Sequence, residues 1–424
     1  TVQTLVNHVG KKPRVMVWPY GQFNDVAVQL ARQAGMPHYF SLGEKIINKV
    51  GDKHIGRLLL NAETDLNTVK NYLDGIDESK QIQRVLHVDL DYVYDADKAQ
   101  QAKNLDKLID RIYRYGVTTV YLQAFSDPDG DGVADALYFP NKYLPVRDDI
   151  FGRIAWQLQT RAGVKVYAWM PVLAFDLRKS VKEAEYVIDS RTGKPSTKAY
   201  LRLSPYNKQN VEIIKSIYND LSFYAKFNGI LFHDDAFLTD FEGAEGNHAE
   251  GMVSPQAKQK TQDLIQLTHQ LTDALKPYFL RGSYSLKTAR NLYASVITTP
   301  NAEEWLAQNL KTLTENYDTT AIMAMPYMEN EQPISQKEAY QWFASLIENV
   351  KAQAPLEKVL FEFQAVNWRT QKPIPESELI DWMTLLQKNH IYSYGYYPDN
   401  FLTNQPDMNK MKPYFSVNTN VGKP

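Results

Sequence analysis

The segment Gly229-Ile-Leu-Phe-His-Asp-Asp-Ala sets one histidine and two adjacent carboxylates directly after four strand-forming residues. At the end of a strand, Asp234 and Asp235 would stand side by side in partly desolvated surroundings. Burial and mutual repulsion then push one carboxyl toward the protonated form near neutral pH, which is the requirement for a general acid. Cleavage of a glycosidic bond needs such an acid at the leaving oxygen and a second group that stabilises an oxocarbenium-like centre. When the sugar carries a 2-acetamido group, its own carbonyl oxygen can be the nucleophile, with one carboxylate only orienting that amide. Asp234 and Asp235 are therefore the candidate catalytic residues, with His233 beside them at the substrate. The alternative for either aspartate is a helix cap or a pairing with an arginine.

Other polar residues gather at comparable places. His87 and Asp89 alternate with apolar Val88 and Leu90, so both can point the same way, either into a substrate site or into a satisfied internal network. Aromatic candidates for flat sugar platforms are Tyr200, Trp305, Tyr327, Trp368 and Tyr397, with Arg202 two residues beyond the first of them. Trp305 sits in Glu303-Glu-Trp-Leu-Ala-Gln-Asn, a pattern that could equally bury it in helix core. Asp127-Pro-Asp-Gly-Asp-Gly opens like a calcium loop, but position twelve is Tyr138 where a bidentate Glu is needed, so a tight turn lining a cleft is expected. With no histidine pair at ligand spacing and no Gly-rich phosphate loop, neither metal nor cofactor is expected in this part of the chain.

Residues that do chemistry together must be held by a frame, and β-branched and aromatic runs recur between amphipathic stretches from Ile82 onward. Eight runs are visible: 85–94, 118–125, 165–173, 229–237, 286–294, 320–328, 358–366 and 391–397. Between them lie helical patterns such as Leu105, Leu108, Ile109 and Ile112, closed by Gly116, and Leu379, Ile380, Met383 and Leu386, opened by Pro375. This alternation predicts a (β/α)8 TIM-like barrel over residues 81–424, with the polar clusters at the C-terminal ends of the strands where such barrels carry their chemistry. Residues 1–80 read as half an α/β domain: strands at 15–18, 39–42 and 58–60, and helices at 26–34 and 65–73. So few elements bury too little for comfortable independent stability. The tail after Phe415 is expected to be mobile.

Composition narrows the partners. Lys and Arg number 47 against 49 Asp and Glu, a net charge of -2, so no nucleic-acid partner is expected. There is no cysteine, which excludes disulfides and thiolate chemistry within the chain. Aromatics reach 12%, with 27 Tyr and 7 Trp, more than a core needs.

Seven motifs together resemble one family. They are His87-Val-Asp-Leu-Asp-Tyr-Val-Tyr-Asp, Ala124-Phe-Ser-Asp-Pro-Asp-Gly-Asp-Gly, Tyr167-Ala-Trp-Met-Pro-Val-Leu, Phe232-His-Asp-Asp, Lys287-Thr-Ala-Arg-Asn, Ala324-Met-Pro-Tyr and Tyr394-Gly-Tyr-Tyr-Pro-Asp-Asn-Phe. In this order they are similar to the PgaB (HmsF) family of biofilm polysaccharide proteins. The resemblance implies a Gram-negative periplasmic, outer-membrane-associated parent protein acting on poly-β-1,6-N-acetyl-D-glucosamine. In that family an N-terminal polysaccharide deacetylase domain precedes a barrel that binds the partly deacetylated polymer and cleaves it as an endo-acting glycoside hydrolase. An export porin of the outer membrane is the further partner it implies. It puts Asp234 in the leading catalytic position with Asp235 beside it, and Tyr200, Trp305 and Trp368 along the sugar cleft. Trp18-Pro-Tyr-Gly and Ile55-Gly-Arg-Leu-Leu resemble the later deacetylase motifs, so residues 1–80 are expected to be the end of that domain. The earlier motifs, with the divalent-metal ligands, are not in this chain. Two other readings remain beside hydrolysis: a barrel that only binds and guides the polymer, and a metal-dependent deacetylase as the activity of the parent.

Overall fold

The computed structural model describes residues 2–42, 48–57, 82–243, 253–276 and 286–417. The chain divides into two compact units, one from its first 81 residues and one that begins at Ile82 and holds the rest of the described residues.

The first unit contains α1 (Val2–Val9), β1 (Val15–Val17), α2 (Asp25–Gln33), β2 (His38–Leu42) and β3 (His54–Arg57). The three strands form a parallel sheet in the order β1-β2-β3, with Val15 opposite His38 and Tyr39 opposite His54. Asn24 caps α2 by accepting the Ala27 N–H at 2.8 Å. A small core of Trp18, Val28, Ala31, Met36 and Tyr39 joins helix to sheet. The third strand precedes the segment expected for it. The expected strand at 58–60 and helix at 65–73 lie outside the described residues, as does most of the C-terminal tail.

In the second unit the elements follow as β4 (Arg84–Val88), α3 (Lys98–Tyr115), β5 (Thr119–Gln123), α4 (Phe151–Gln157), β6 (Lys165–Met170), α5 (Lys208–Tyr224), β7 (Gly229–Phe232), α6 (Pro255–Leu275) and β8 (Lys287–Tyr293). Three short helices come next, α7 (Ser295–Thr298), α8 (Glu303–Leu306) and α9 (Leu310–Asn316). The rest is β9 (Thr319–Met323), α10 (Pro326–Glu329), α11 (Gln336–Gln353), β10 (Val359–Gln364), α12 (Glu376–Lys388), β11 (Tyr394–Tyr397) and α13 (Met408–Phe415). Strands β4 to β11 pair in parallel, each with the next, and β11 returns to β4 through Tyr394 opposite Arg84. The result is a closed eight-stranded barrel, and the (β/α)8 expectation holds.

The strands of the ring are buried along most of their length, because side chains inside meet the barrel core and those outside meet helices. This explains why the strands read as continuous apolar runs. Helix α3 shows the complementary pattern: Asp97 caps its start, Leu105, Leu108, Ile109 and Ile112 are buried, and Gly116 ends it at φ 73°. In α12 the inner face is Leu379, Trp382, Met383 and Leu386, while the expected Ile380 is only half-buried.

Several strands stop short of the runs that announced them. The run at 229–237 is a strand only to Phe232, and the run at 320–328 only to Met323. Beyond those points the chain leaves the ring and turns into rim loops, so residues of strand-favouring type lose the neighbours that a ladder needs. His233, Asp234 and Asp235 are thereby placed just past a strand end. Gly229 at the other end of β7 allows a close approach: a Cβ there would lie 2.7 Å from the Tyr167 ring and 2.8 Å from the Lys287 carbonyl oxygen. Among the described residues no helix is long and apolar enough to cross a membrane.

Candidate active site

Two adjacent aspartates after β7 face different surroundings. The Asp235 carboxylate is fully buried and accepts backbone N–H groups from Val172 at 3.0 Å, Leu173 at 2.6 Å and Ala174 at 2.6 Å. It satisfies the chain as it leaves β6, so the expectation that Asp235 shares in catalysis is corrected to a structural role. Asp234 turns instead toward side chains. Its Oδ2 accepts the Tyr200 hydroxyl at 2.8 Å and the Tyr293 hydroxyl at 2.7 Å, and its Oδ1 stands 2.9 Å from His233 Nε2.

These partners decide the charge of the pair. Burial alone would raise the Asp234 carboxyl, but the His233 charge and three hydrogen bonds hold it down at about 2. His233 responds in the opposite sense. Burial favours its neutral form, yet Asp234 and Asp235 raise it to about 10. Near neutral pH these shifts favour a carboxylate–imidazolium pair, so the expected protonated carboxyl is not Asp234.

One carboxyl raised in the expected sense stands past the end of β4. Asp89 follows β4, is 9% exposed, and is pushed up to about 8 by burial and by the neighbouring charges of Asp91 and Asp127. Its one close hydroxyl is Tyr397, 3.4 Å from Oδ2. Asp91 contributes charge but is itself committed, accepting from Ser126, Tyr138 and Arg147. His87, on the same strand as Asp89, holds Glu362 through Nδ1 at 2.6 Å, and Glu362 accepts Asn291 Nδ2 at 2.9 Å.

Trp169 lies between the two sides. Its ring centroid is 4.1 Å from that of His87, 5.1 Å from His233 and 5.5 Å from Tyr397. Three buried polar atoms here, His87 Nε2, Asp89 Oδ1 and Trp169 Nε1, have no hydrogen-bond partner among the described residues, and His233 Nδ1 has only Asp235 Oδ1 near it, at 3.6 Å. Buried polar groups are ordinarily satisfied, so a cluster of orphans at a barrel mouth is the signature of a site that completes its bonds with a ligand. Trp368, in a short hairpin after β10, stacks on Tyr397 at 6.1 Å and 27°. Tyr200 packs against His233 at 5.5 Å.

Two residues expected at the sugar are committed elsewhere. Arg202 is fully buried, with bonds to Glu242 and to the carbonyl oxygens of Phe237 and Lys198, so it braces the Tyr200 loop and does not reach a sugar. Tyr327 donates its hydroxyl to Glu378 on α12 at 2.5 Å and lies near Trp382, which draws it to the outer wall. Asp399 is buried under Arg111, which grips it with Nε and Nη2. Trp305 is 46% exposed on α8, which excludes the core reading but brings it to none of the rings around Trp169.

The Asp127–Gly132 segment is a tight turn, as expected. Asp127 accepts the N–H groups of Gly130, Asp131 and Gly132. The carboxylates of Asp127, Asp129 and Asp131 come within 4.8 Å of one another, and burial with its acidic neighbours raises Asp127 to about 6 despite the Gly132 bond. Gly132 matters for a second reason. At φ 79° a Cβ there would lie 2.0 Å from Tyr200 Cε1, so the turn presses on the ring that holds Asp234.

Sequence reasoning did not single out Trp169, Tyr293 or Glu329. Trp169 and Tyr293 sit at or near strand ends, a position that could have marked them. Glu329, at the end of one-turn α10, accepts the N–H groups of Ala294 at 2.7 Å and Ser295 at 3.0 Å, which fixes the backbone beside Tyr293. Burial raises its carboxyl to about 7, the two backbone bonds oppose this, and the Asp234 charge adds to it.

The profile of the hypothetical glycosyl hydrolase family 13 matches residues 87–397, the span from His87 to Tyr397. The chain belongs to that family. It is 39% identical over 96% of its length to the poly-β-1,6-N-acetyl-D-glucosamine N-deacetylases of Escherichia coli K12 and of Escherichia coli O157:H7. It spans 63% of the length of each of those proteins. Among solved structures, the PgaB (BpsB) glycoside hydrolase domain from Bordetella bronchiseptica is 38% identical, with a TM-score of 0.72 over 80% of this chain and all of that domain. The PgaB-family resemblance carried by the seven motifs is thus shown, and the barrel is of the PgaB glycoside hydrolase type.

Proposed function

We propose that the barrel is an endo-acting glycoside hydrolase that binds and cleaves partially deacetylated poly-β-1,6-N-acetyl-D-glucosamine. The observation that carries this reading is the opposite tuning of two carboxyls in one mouth: Asp234 held ionised at about 2 and Asp89 held protonated up to about 8, on either side of the unsatisfied atoms around Trp169. Pairs of carboxyls driven apart in this way supply the acid and the anion of glycosidic cleavage.

Asp89 passes its proton to the glycosidic oxygen as the bond from that oxygen to the anomeric carbon breaks, and the bonding pair leaves with the oxygen. Asp234 offsets the positive charge that develops on the sugar. Where the sugar keeps its acetamido group, the amide carbonyl oxygen captures the anomeric carbon and Asp234 accepts the amide N–H. Water then completes hydrolysis. Tyr200, Tyr293 and His233 hold Asp234 in place, while Trp368 and Tyr397 offer stacked faces to the pyranose rings. Asp127 and Asp129 add negative charge for the ammonium groups of glucosamine units.

The relatives' name and the motif set support a setting for this activity: the Gram-negative periplasm, at the outer membrane, within a larger protein that also removes N-acetyl groups with a divalent metal and delivers polymer to an export porin. No deacetylation step is assigned to the residues of this chain.

The test is digestion of a polymer of known partial deacetylation by the wild type, Asp234→Asn and Asp89→Asn, with product length and acetyl positions read by mass spectrometry and the anomer by NMR. Each substitution is expected to lower release of short oligomers by about 10²- to 10⁴-fold. Undiminished products from either variant remove that residue from the mechanism. Calorimetric binding by the wild type with no product after prolonged incubation would replace hydrolysis by the polymer-guiding reading.

A further inference from the structure

On the outer wall of the barrel, helices α11 and α12 enclose a groove of about 510 Å3. Tyr340, 39% exposed, forms one wall, and Trp382, which is buried, lines the groove from α12. The indole nitrogen of Trp382 is buried without a hydrogen-bond partner among the described residues. Two carboxylates, Glu378 and Asp381, line it as well, with Gln341 and a single cation, Lys337. Glu378 is buried, and its carboxyl is raised by that burial and by Asp381, with only the Tyr327 hydroxyl opposing the shift.

Glu378 already takes the Tyr327 hydroxyl on one oxygen, and a carboxylate can accept further donors, so it and the exposed Asp381 can together meet a cation. Here an exposed aromatic face, two amides and two acids occur together, and the mouth likewise combines aromatic rings with acids. The two places are also joined. Tyr327, which bonds Glu378, belongs to the one-turn helix α10 that ends in Glu329, and the Tyr327 carbonyl accepts Arg369 Nε from the hairpin carrying Trp368. Tyr327 thus links a residue of the groove to the hairpin that carries Trp368.

We infer that the α11–α12 groove is a second saccharide site, which holds glucosamine units of a polymer whose cleaved segment occupies the mouth. Tyr340 stacks on a pyranose face, Glu378 and Asp381 take the ammonium group, and Gln341 bonds a hydroxyl. The identity of the polymer rests on the proposed function, but the site is separable from the catalytic reading by experiment.

The test uses β-1,6-linked glucosamine oligomers and a partially deacetylated polymer as probes on the whole chain. Calorimetry of the wild type with a short oligomer is expected to show two binding events. The double variant Tyr340→Ala, Asp381→Asn should lose one of them and weaken polymer binding by about tenfold, while cleavage of short oligomers stays within about twofold of wild type. Lys337→Gln removes the repelling charge and should strengthen polymer binding by about two- to threefold, a gain that damaged packing cannot imitate. A single binding event, or polymer affinity unchanged in both variants, overturns the groove whatever the cleavage result. Absence of cleavage with the groove's binding intact removes the hydrolase reading alone.

Discussion

The Asp235 carboxylate receives the Ala174 N–H at 2.6 Å, and this bond, with those from Leu173 and Val172, separates two aspartates that are neighbours in sequence into one held by backbone and one held by side chains. The difference can be measured. Asp235→Ala leaves three buried N–H groups without an acceptor and is expected to cost about 3 kcal/mol or more. In a thermal melt that is a fall in Tm of about 5–10 °C. Asp234→Asn keeps an acceptor for the two tyrosine hydroxyls and should melt much closer to wild type while losing cleavage. Equal melting of the two variants would contradict the assignment.

The mouth also has a defined pH dependence. Asp89 is raised from 3.8 to about 8, so activity that needs its proton declines as pH rises through about 8. Asp234 is lowered to about 2, so its anion is lost only in strong acid. Stability follows by linkage. The folded state holds the Asp89 proton more tightly than the unfolded chain does, so its contribution is complete below about 3.8 and is lost as pH rises toward about 8. Asp89→Asn should therefore abolish cleavage and, relative to wild type, raise Tm at pH 9 more than at pH 4. A Tm difference that does not change with pH would show that Asp89 carries no such proton.

Gly132 couples the acidic turn to the anion. Gly132→Ala pushes against the Tyr200 ring and places an alanine at positive φ. The expected result is a fall in kcat of about tenfold or more, as the Tyr200 hydroxyl leaves Asp234. Tyr200→Phe added to Gly132→Ala should cost little further, because both act on one contact, whereas independent effects would add.

Trp368 stacks on Tyr397 at the rim and not on the carboxyls. Trp368→Ala is expected to raise KM about tenfold with kcat changed by less than about threefold, the pattern of lost uniform binding. Steady-state kinetics on a defined oligomer would show this, and a loss confined to kcat would place the ring in the chemical step.

Much of the frame was readable from residue order. Strands buried on both faces must be apolar throughout, and helices that cover them must repeat apolar residues at three and four, so β4 to β11 and helices such as α3 announced themselves locally. Their ends did not. Where a strand such as β7 stops depends on when its neighbours leave the ring, and no short window of sequence contains those neighbours.

The amino-acid sequence by itself determined the eightfold repeat, the PgaB-type motifs and the delivery of His233, Asp234 and Asp235 to a strand end. Which carboxyl is ionised was decided only in three dimensions. Asp235 meets a backbone 61 to 63 residues earlier in the chain, Asp234 meets Tyr200 from a rim loop and Tyr293 at the end of β8, and Asp399, just past β11, is taken by Arg111 on α3. Protonation is set by distance-dependent fields and by desolvation, both of which depend on groups remote in sequence. For that reason the repulsion expected between two adjacent aspartates acts instead on Asp89, beside Asp91 and Asp127.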